Sequence, residues 1–225
     1  MTPARSMGAV ASGSTGAVTL IRGAELVAAP WKNGGGITRE VAAFPADAAL
    51  DTFVWRVSVA DVAQAGPFSP FVGIDRTLVL LSGAGMLLDE AQCDDTVKTH
   101  ALTRPLDIAR FNGEAQIDAR LVDGATRDFN LMVRRESAQG ELEVWRAAQH
   151  EAQHEAQHAA EHERTLSADV VLLYCAKGPL AVTLANAHAQ WLQTGDALRI
   201  DTPNALPCNM EGTGALLAIS IRYAA

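Results

Sequence analysis

Apolar and polar residues alternate along most of this chain, which is the pattern of β-strands rather than of helices. Between positions 52 and 61 the alternation separates two faces of different character. One face of this segment carries Phe53, Trp55, Val57 and Val59, and the other carries Val54, Arg56, Ser58 and Ala60. Successive side chains of a strand point to opposite faces, so the aromatic and branched face is predicted to be core.

The segment from position 128 to 135 shows the same alternation. Phe129, Leu131 and Val133 share one face, and Asp128, Asn130, Met132 and Arg134 share the other. Further strands are predicted at 37–44, 76–81, 86–90, 106–111, 117–122, 169–175, 180–184, 197–200 and 215–223. Gly, Pro, Asp and Asn recur between them, which favours an all-β fold built as antiparallel sandwiches or barrels.

One stretch, residues 147–163, interrupts the strand pattern with a four-residue Ala-Gln-His-Glu repeat. It places His150, His154, His158 and His162 at i, i+4 spacing, so a helix would bring neighbouring pairs within reach of one metal ion. The repeat has no apolar stripe, however, and drifts about 40° around a helix at each unit. We interpret it as a solvated, partly helical insertion, with metal binding as the alternative.

These patterns divide the 225 residues into four parts. Residues 1–17 are rich in Gly, Ala, Ser and Thr without an apolar signal-peptide core, which predicts a disordered N-terminal tail. Residues 18–146 form an N-terminal half, 147–164 the insertion, and 165–225 a C-terminal half. The apolar runs are far shorter than the ~20 residues that cross a bilayer, so no membrane association is expected.

Charge and cysteine content narrow the partners and the compartment. The formal charge is −8, and no large Lys/Arg cluster stands against it, so nucleic acid is not an expected partner. Cys93, Cys175 and Cys208 are odd in number and widely spaced, which argues against a disulfide framework or a zinc knuckle. A reducing cytoplasm is therefore the expected location.

The most distinctive stretch is Trp31-Lys32-Asn33-Gly34-Gly35-Gly36, followed by Thr38-Arg39-Glu40. Three consecutive glycines are expected to adopt positive φ angles and to let other groups approach the backbone. A phosphate loop is not indicated, because the G-x-x-x-x-G-K-[ST] order is absent and the segment leads into a strand-like run.

This stretch resembles the signature of the HutD/Ves family, and three further segments match that family in order. They are Trp55-Arg56-Val57-Ser58-Val59-Ala60, then Gly66-Pro67-Phe68-Ser69 with Asp75-Arg76, then Asp128-Phe129-Asn130-Leu131-Met132-Val133-Arg134-Arg135. The match covers roughly residues 18–145. The resemblance implies a bicupin, two packed antiparallel β-barrels with few short helices, tied to bacterial histidine utilisation and without an established catalytic activity.

Catalytic and metal chemistry find little support in the residues. Metal-dependent cupins use a His-x-His pair with a further Glu and His, whereas here only His100 and His188 lie outside the repeat, so neither a metal nor another cofactor is expected. Ser69 lacks a nucleophile elbow and Cys93 lies among acids that raise a thiol pKa. Asp75, Glu114 and Asp128 remain open as acid–base carboxylates.

Positive and amide groups are the stronger signal. We expect Arg56, Arg76, Lys32, Asn33 and Asn130 to converge, beside Ser58, on one anion pocket at the mouth of the first barrel. The alternatives are a solvent-exposed Arg56 and a local ion pair of Arg76 with Asp75.

The predicted function is metal-independent binding of a small anionic metabolite of histidine degradation, of the urocanate or formylglutamate class, with a regulatory or buffering role. This ligand class rests on the family's association rather than on the residues. Two alternatives are a metal-free hydrolase or isomerase that acts through Asp or Glu, and a protein-interaction scaffold. The resemblance also allows a homodimer.

Overall fold

The computed structural model describes residues 16–147 and 164–225, which form nineteen β-strands and one short 3-10 helix, Gly23–Glu25. All strand pairs are antiparallel. In chain order the strands are β1 Val18–Ile21, β2 Ala28–Pro30, β3 Gly36–Phe44, β4 Trp55–Val62, β5 Gly66–Pro67, β6 Ile74–Ser82, β7 Met86–Ala91, β8 Val97–Leu102, β9 Ile108–Asn112, β10 Ile117–Leu121, β11 Thr126–Arg134, β12 Ala138–Arg146, β13 Arg164–Leu166, β14 Val170–Lys177, β15 Leu180–Leu184, β16 Gln190–Leu192, β17 Ala197–Asp201, β18 Leu206–Gly212 and β19 Ala215–Tyr223.

Two barrels result, each made of a larger and a smaller sheet. The first barrel combines a six-stranded sheet, β2-β3-β4-β11-β6-β9, with a four-stranded sheet, β5-β10-β7-β8. The second barrel combines a five-stranded sheet, β1-β17-β14-β19-β12, with a four-stranded sheet, β13-β18-β15-β16. The all-β architecture expected from the alternation is therefore confirmed.

The two larger sheets pack face to face and share the largest hydrophobic core. The first barrel contributes the faces that the alternation predicted, with Trp55, Val57 and Val59 on β4 and Phe129, Leu131 and Val133 on β11. The second barrel contributes Leu172, Tyr174, Leu217, Ile219 and Ile221. Because this core belongs to both barrels, neither can expose its large sheet to water without losing the packing of these residues, although each barrel keeps its own interior cluster.

The two barrel interiors differ in polarity. The second is filled by aliphatic and sulfur-bearing side chains, among them Leu173, Val182, Leu198 and Leu216. Among the described residues the buried polar side chains are Ser58, Arg76, Thr77, Thr126, Asp128, Asn130 and Asp196, and only Asp196 belongs to the second barrel. The polar chemistry is thus concentrated in the first barrel.

Strand pairing divides the chain differently from the sequence boundaries. β1 pairs with β17 and β12 pairs with β19, so both strands belong to the second barrel although the sequence placed residues 18–146 in one half. Alternation identifies strands but not their partners, because each strand fits any sheet that covers its apolar face. The Asp196 carboxylate accepts hydrogen bonds from the Gly23 and Gln193 amides at 2.9 and 3.0 Å and from Arg22 at 2.6 Å. Because Arg22 and Gly23 directly follow β1, these bonds hold the end of β1 against the second barrel.

The predicted N-terminal tail and the histidine-rich insertion fall almost entirely outside the described residues. Within residues 16–147 and 164–225, no helix has the length and apolar character needed to cross a membrane.

Candidate functional site

Three neighbouring strands of the first barrel carry four of the six residues predicted for the site. Asn130 on β11 lies opposite Ser58 on β4, and Met132 lies opposite both Arg56 on β4 and Arg76 on β6. These positions alternate with the shared-core residues, so their side chains belong to the inward face of the barrel.

Arg76 is the least expected of these residues, because it is a cation with only 8 % of its surface exposed. Its guanidinium carbon lies 5.2, 5.6 and 5.1 Å from the ring centroids of Phe68, Phe71 and Phe111. Its hydrogen bond within the described chain is a long one, from Nη2 to the Asn130 Oδ1 at 3.5 Å. The Nε donor is buried and has no partner among these residues.

Electrostatics shows the cost of this arrangement. Burial lowers the pKa of Arg76 to about 10, and the nearby positive charge of Arg56 adds to the effect. Asp75 does not compensate, because it pairs with Arg135 at 2.9 Å on the exterior. The local ion pair of Asp75 with Arg76 is therefore wrong. Burying a guanidinium without a carboxylate partner carries an unfavourable desolvation free energy, and a bound anion would offset it.

Arg56 lies in the same inward row but is already paired. Its Nε donates to the Glu40 carboxylate at 2.7 Å and its Nη1 donates to the Ser58 hydroxyl at 3.2 Å. The Arg56 side chain is 12 % exposed, so a solvent-facing role is wrong. Of the two guanidinium groups in this row, Arg56 is therefore paired with a carboxylate, and Arg76 is not.

Lys32 and Asn33 do not join this group. Their turn precedes Gly36, which pairs with Val62, six residues along β4 from Arg56 and therefore about 20 Å away. Lys32 is exposed, and the Asn33 side chain accepts a hydrogen bond from the Gly35 amide at 3.0 Å. The expected convergence of five residues is thus wrong for these two, because Asn33 shapes its own turn.

The triple glycine serves this turn in two ways. Only Gly34 has a positive φ, of 70°, so the expectation of three such angles is wrong for the other two. Gly36 is needed for space, since a Cβ there would lie 2.5 Å from the Asp61 carbonyl oxygen and 3.3 Å from the Trp31 ring. The Trp31 indole in turn donates to the Thr38 hydroxyl at 2.7 Å.

A second unusual group, Asp128, lies further along the inward face of β11. It is 1 % exposed, and its cross-strand neighbours are Ala60 and Leu80. Oδ2 is 3.5 Å from the Thr126 hydroxyl, whereas Oδ1 has no partner. Burial raises the pKa of Asp128 to about 7, with a smaller contribution from the charge of Asp61.

The other carboxylates considered from sequence lie outside the barrel. Asp75 is exposed, and Glu114 accepts hydrogen bonds from the Gly73 amide at 2.7 Å and from Arg135 at 3.1 Å. The hydrogen bonds from Arg135 and Gly73 lower the pKa of Glu114 to about 2, so it stays ionised. Asp128 is therefore the one of the three that faces the interior.

The sequence analysis missed a Glu90–His100 pair. Their side chains lie on the inward face of neighbouring strands β7 and β8, 2.8 Å apart and 17 % and 12 % exposed. The His100 ring is 6.0 Å from Phe111, which also contacts Arg76. The strand at 86–90 was predicted but the one at 97–102 was not, so the hairpin register that brings these two positions close was missing.

Metal ligands do not assemble in the described parts of the chain: no three His, Cys, Asp or Glu side chains there are grouped to hold an ion. Cys93 is exposed, while Cys175 and Cys208 are buried in the second barrel, where burial raises the pKa of each thiol to about 12. A reactive thiolate is thus not offered by either buried cysteine.

Two packed antiparallel barrels define this protein as a bicupin. The first barrel holds buried polar side chains beside its own apolar cluster, and the second is filled by apolar side chains. The oxalate decarboxylase of Lactobacillus farciminis has the same architecture, with a TM-score of 0.56 over 94 % of this chain and 87 % of that one. The sequences are 9 % identical, so the likeness concerns the fold alone.

The chain belongs to the HutD family, whose family model matches residues 23–218. An uncharacterised 21.2 kDa protein from the hutC 3′ region of Pseudomonas putida is 33 % identical over 204 residues, covering 90 % of this chain and 92 % of that protein. Protein Ves of Citrobacter koseri is 36 % identical over 115 residues, or 51 % of this chain and 56 % of Ves. The structure of HutD from Pseudomonas fluorescens SBW25 has a TM-score of 0.74 at 28 % identity, over 93 % of this chain and all of that one.

Proposed function

We propose that the first barrel binds a small anionic metabolite of histidine degradation, of the urocanate or formylglutamate class, without a metal ion. The observation that supports this proposal is Arg76, a buried guanidinium that has an unpartnered Nε and no carboxylate beside it. The HutD family is linked to histidine utilisation, and in that context a binding protein of this kind would buffer or report the metabolite.

The surroundings of Arg76 suit a planar carboxylate. A guanidinium offers parallel N–H donors that match the two oxygens of a carboxylate, and Asn130 adds an amide beside it. The three phenylalanine rings keep water away from the guanidinium, so an anion that enters meets a charge in a low-dielectric environment. We propose that Arg56 and Ser58, which form the adjacent part of the inward face, also contribute hydrogen-bond donors to the bound anion.

Lys32 and Asn33 are not proposed to touch the ligand. They lie at the end of the first barrel that is farther from Arg56.

The proposed setting is the cytoplasm, with neither nucleic acid nor membrane as partner, and three free cysteines agree with a reducing compartment. Assembly into a homodimer is compatible with the proposal but is not required by the site.

A second candidate is a metal-free hydrolase or isomerase acting on the same class of molecule. It is favoured by two observations. Asp128 is buried with a pKa raised to about 7, and a carboxyl group that titrates near neutrality serves as an acid or base. The Glu90 carboxylate also lies 2.8 Å from the His100 ring on the inward face. Binding and turnover are separable in one experiment.

The test is calorimetric titration of the chelator-treated protein with urocanate and with N-formylglutamate, followed by product analysis of the same mixtures. We expect binding without turnover and at least a tenfold loss of affinity in Arg76→Met. The control is Arg120→Met, which removes an exposed arginine paired with Asp89. Unchanged affinity in Arg76→Met would overturn the proposal, and new product would favour the enzyme.

A further inference from the structure

The described chain contains two buried side-chain polar atoms without a partner, the Arg76 Nε and the Asp128 Oδ1. Both residues lie on the inward face of the first barrel, on the adjacent strands β6 and β11. Buried polar atoms in proteins are nearly always hydrogen-bonded, so two exceptions on one face call for a common explanation. One atom is a donor and the other belongs to a carboxyl group.

The two groups are close enough to serve one small molecule. Arg76 leans along the barrel towards Asn130, whose Oδ1 accepts from its Nη2 at 3.5 Å. Asn130 and Asp128 are successive inward positions of β11, about 7 Å apart along the strand. A molecule of amino-acid size that binds the Arg76 guanidinium therefore extends towards the Asp128 carboxyl.

No group among the described residues forms a hydrogen bond with Oδ1 of Asp128. Its cross-strand neighbours, Ala60 and Leu80, are apolar. The Thr126 hydroxyl is 3.5 Å from the other oxygen, Oδ2. The negative charge of Asp61 is felt at Asp128 and works against its ionisation. An ionised carboxylate only accepts hydrogen bonds, so the group that satisfies Oδ1 in that state is a donor brought from outside.

We infer that the ligand of the first barrel carries, beyond its carboxylate, an N–H or protonated nitrogen that donates to Asp128. This inference rests on the proposed function and specifies its ligand. The class is a nitrogen-bearing carboxylate, in which an imidazole, amide or amidine is held about 7 Å from the carboxylate that Arg76 binds. A molecule with a second carboxylate at that end is disfavoured, because it would meet the Asp128 carboxyl.

Two rigid probes of equal length separate the two ends of the site. trans-Urocanate carries a carboxylate and an imidazole, whereas trans-cinnamate carries the same carboxylate and a phenyl ring that cannot donate. Calorimetric titration of wild-type protein should give at least tenfold tighter binding of urocanate than of cinnamate. In Asp128→Ala this ratio should fall to about one, chiefly because urocanate weakens. In Arg76→Met both probes should weaken together.

The outcomes distinguish the two claims. If neither probe binds the wild-type protein, or if Arg76→Met leaves both affinities unchanged, the proposed function fails. If both probes bind the wild type equally, or if Asp128→Ala weakens both by the same factor, only the role of Asp128 is overturned, and a buried water becomes the partner of its oxygen.

A second measurement covers the case in which Asp128→Ala does not fold. In the wild-type complex with ring-15N urocanate, contact with the Asp128 carboxyl should shift the imidazole nitrogen resonances away from their values in water. Resonances that stay at the aqueous position in a saturated complex would overturn the inference.

Discussion

Arg76 shows how a single residue is held at a cost to the fold. Lowering its pKa from 12.5 to about 10 corresponds to about 3 kcal/mol against the charged form, partly offset by the three aromatic rings. A methionine of similar volume has no charge to desolvate. Arg76→Met should therefore raise the free energy of unfolding by roughly 1–3 kcal/mol in urea titrations while it weakens anion binding at least tenfold.

The exposed variant Arg120→Met is the matched control and should leave that free energy unchanged within the error of the measurement. A loss of stability above about 1 kcal/mol in Arg76→Met would show that the aromatic contacts outweigh the desolvation of the charge.

Asp128 should give the protein a recognisable pH dependence. Burial raises its pKa from 3.8 to about 7, so between these values the folded state holds a proton that the unfolded state releases. Its contribution is therefore fully present below pH 4 and is lost as the pH rises through 7. Relative to Asp128→Asn, the wild type should lose on the order of 4 kcal/mol of stability between pH 4 and 8.

Comparison with Asp128→Asn at each pH is essential, because Asp61, Asp89 and Glu114 have lowered pKa values and act in the opposite sense. Those groups are present in both proteins and cancel in the difference. A flat difference across this pH range, measured by urea unfolding, would show that Asp128 ionises normally.

Residue-scale predictions from the sequence succeeded where alternation decides them. The inward face of Arg56, Ser58 and Asn130 follows from the period of two and from apolar residues on the other side. The lack of a partner for Arg76 could not be foreseen, because its neighbour Asp75 is adjacent in sequence but faces the other side of the strand and pairs with Arg135. Asp128 looked like any strand aspartate until its burial was known.

At the scale of elements, the turn before β3 needs glycine for two different reasons, a backbone conformation at Gly34 and a lack of space at Gly36. Gly34 has a φ of 70° with open space around it, whereas Gly36 faces the Asp61 carbonyl and the Trp31 ring. Gly34→Ala should cost about 1 kcal/mol, and Gly34→Asn less, because asparagine tolerates this conformation. Gly36→Ala should cost about 2–3 kcal/mol, since backbone must move.

Urea unfolding measures these costs, and the position of the tryptophan emission maximum reports whether the Trp31 indole has moved. Equal costs for Gly34→Ala and Gly36→Ala would contradict the division of roles.

The sequence identified strands far better than their partners. Most predicted segments coincide with strands of the structure, because alternation is a local property. β1 and β12 join the five-stranded sheet of the second barrel. This pairing depends on residues far away in the sequence, and the residues of Val18–Ile21 and Ala138–Arg146 do not by themselves indicate it. The Glu90–His100 pair was missed for the same reason, since it requires the register of β7 against β8.

At the scale of the whole molecule, the sequence of residues 148–163 predicts no contribution to either core. Replacing those residues by a short Gly-Ser linker between β12 and β13 should change the free energy of unfolding by less than about 2 kcal/mol, because the repeat has no apolar stripe to bury. Chemical denaturation of the two proteins is the measurement. A larger loss would show that the insertion packs on a barrel.

The bicupin architecture was predictable as a whole, because four ordered motifs resemble one family and the remaining segments alternate. The asymmetry between the barrels was visible only in part. Every candidate site residue predicted from the sequence lies before position 135. Which of them are buried in the first barrel, and that apolar side chains fill the second, became clear only from the structure.

The pairing of β1 with β17 sets a condition on the timing of synthesis. Val18 lies opposite Ile200, so β1 leaves the ribosome about 180 residues before its partner strand β17. At 5–20 residues per second this delay is on the order of ten seconds or more. During that time the first barrel has its own strands in place while its large sheet lacks the opposing face. The nascent chain therefore presents an uncovered apolar sheet until its last strands emerge, which makes translation the stage at which a chaperone would matter most to this protein.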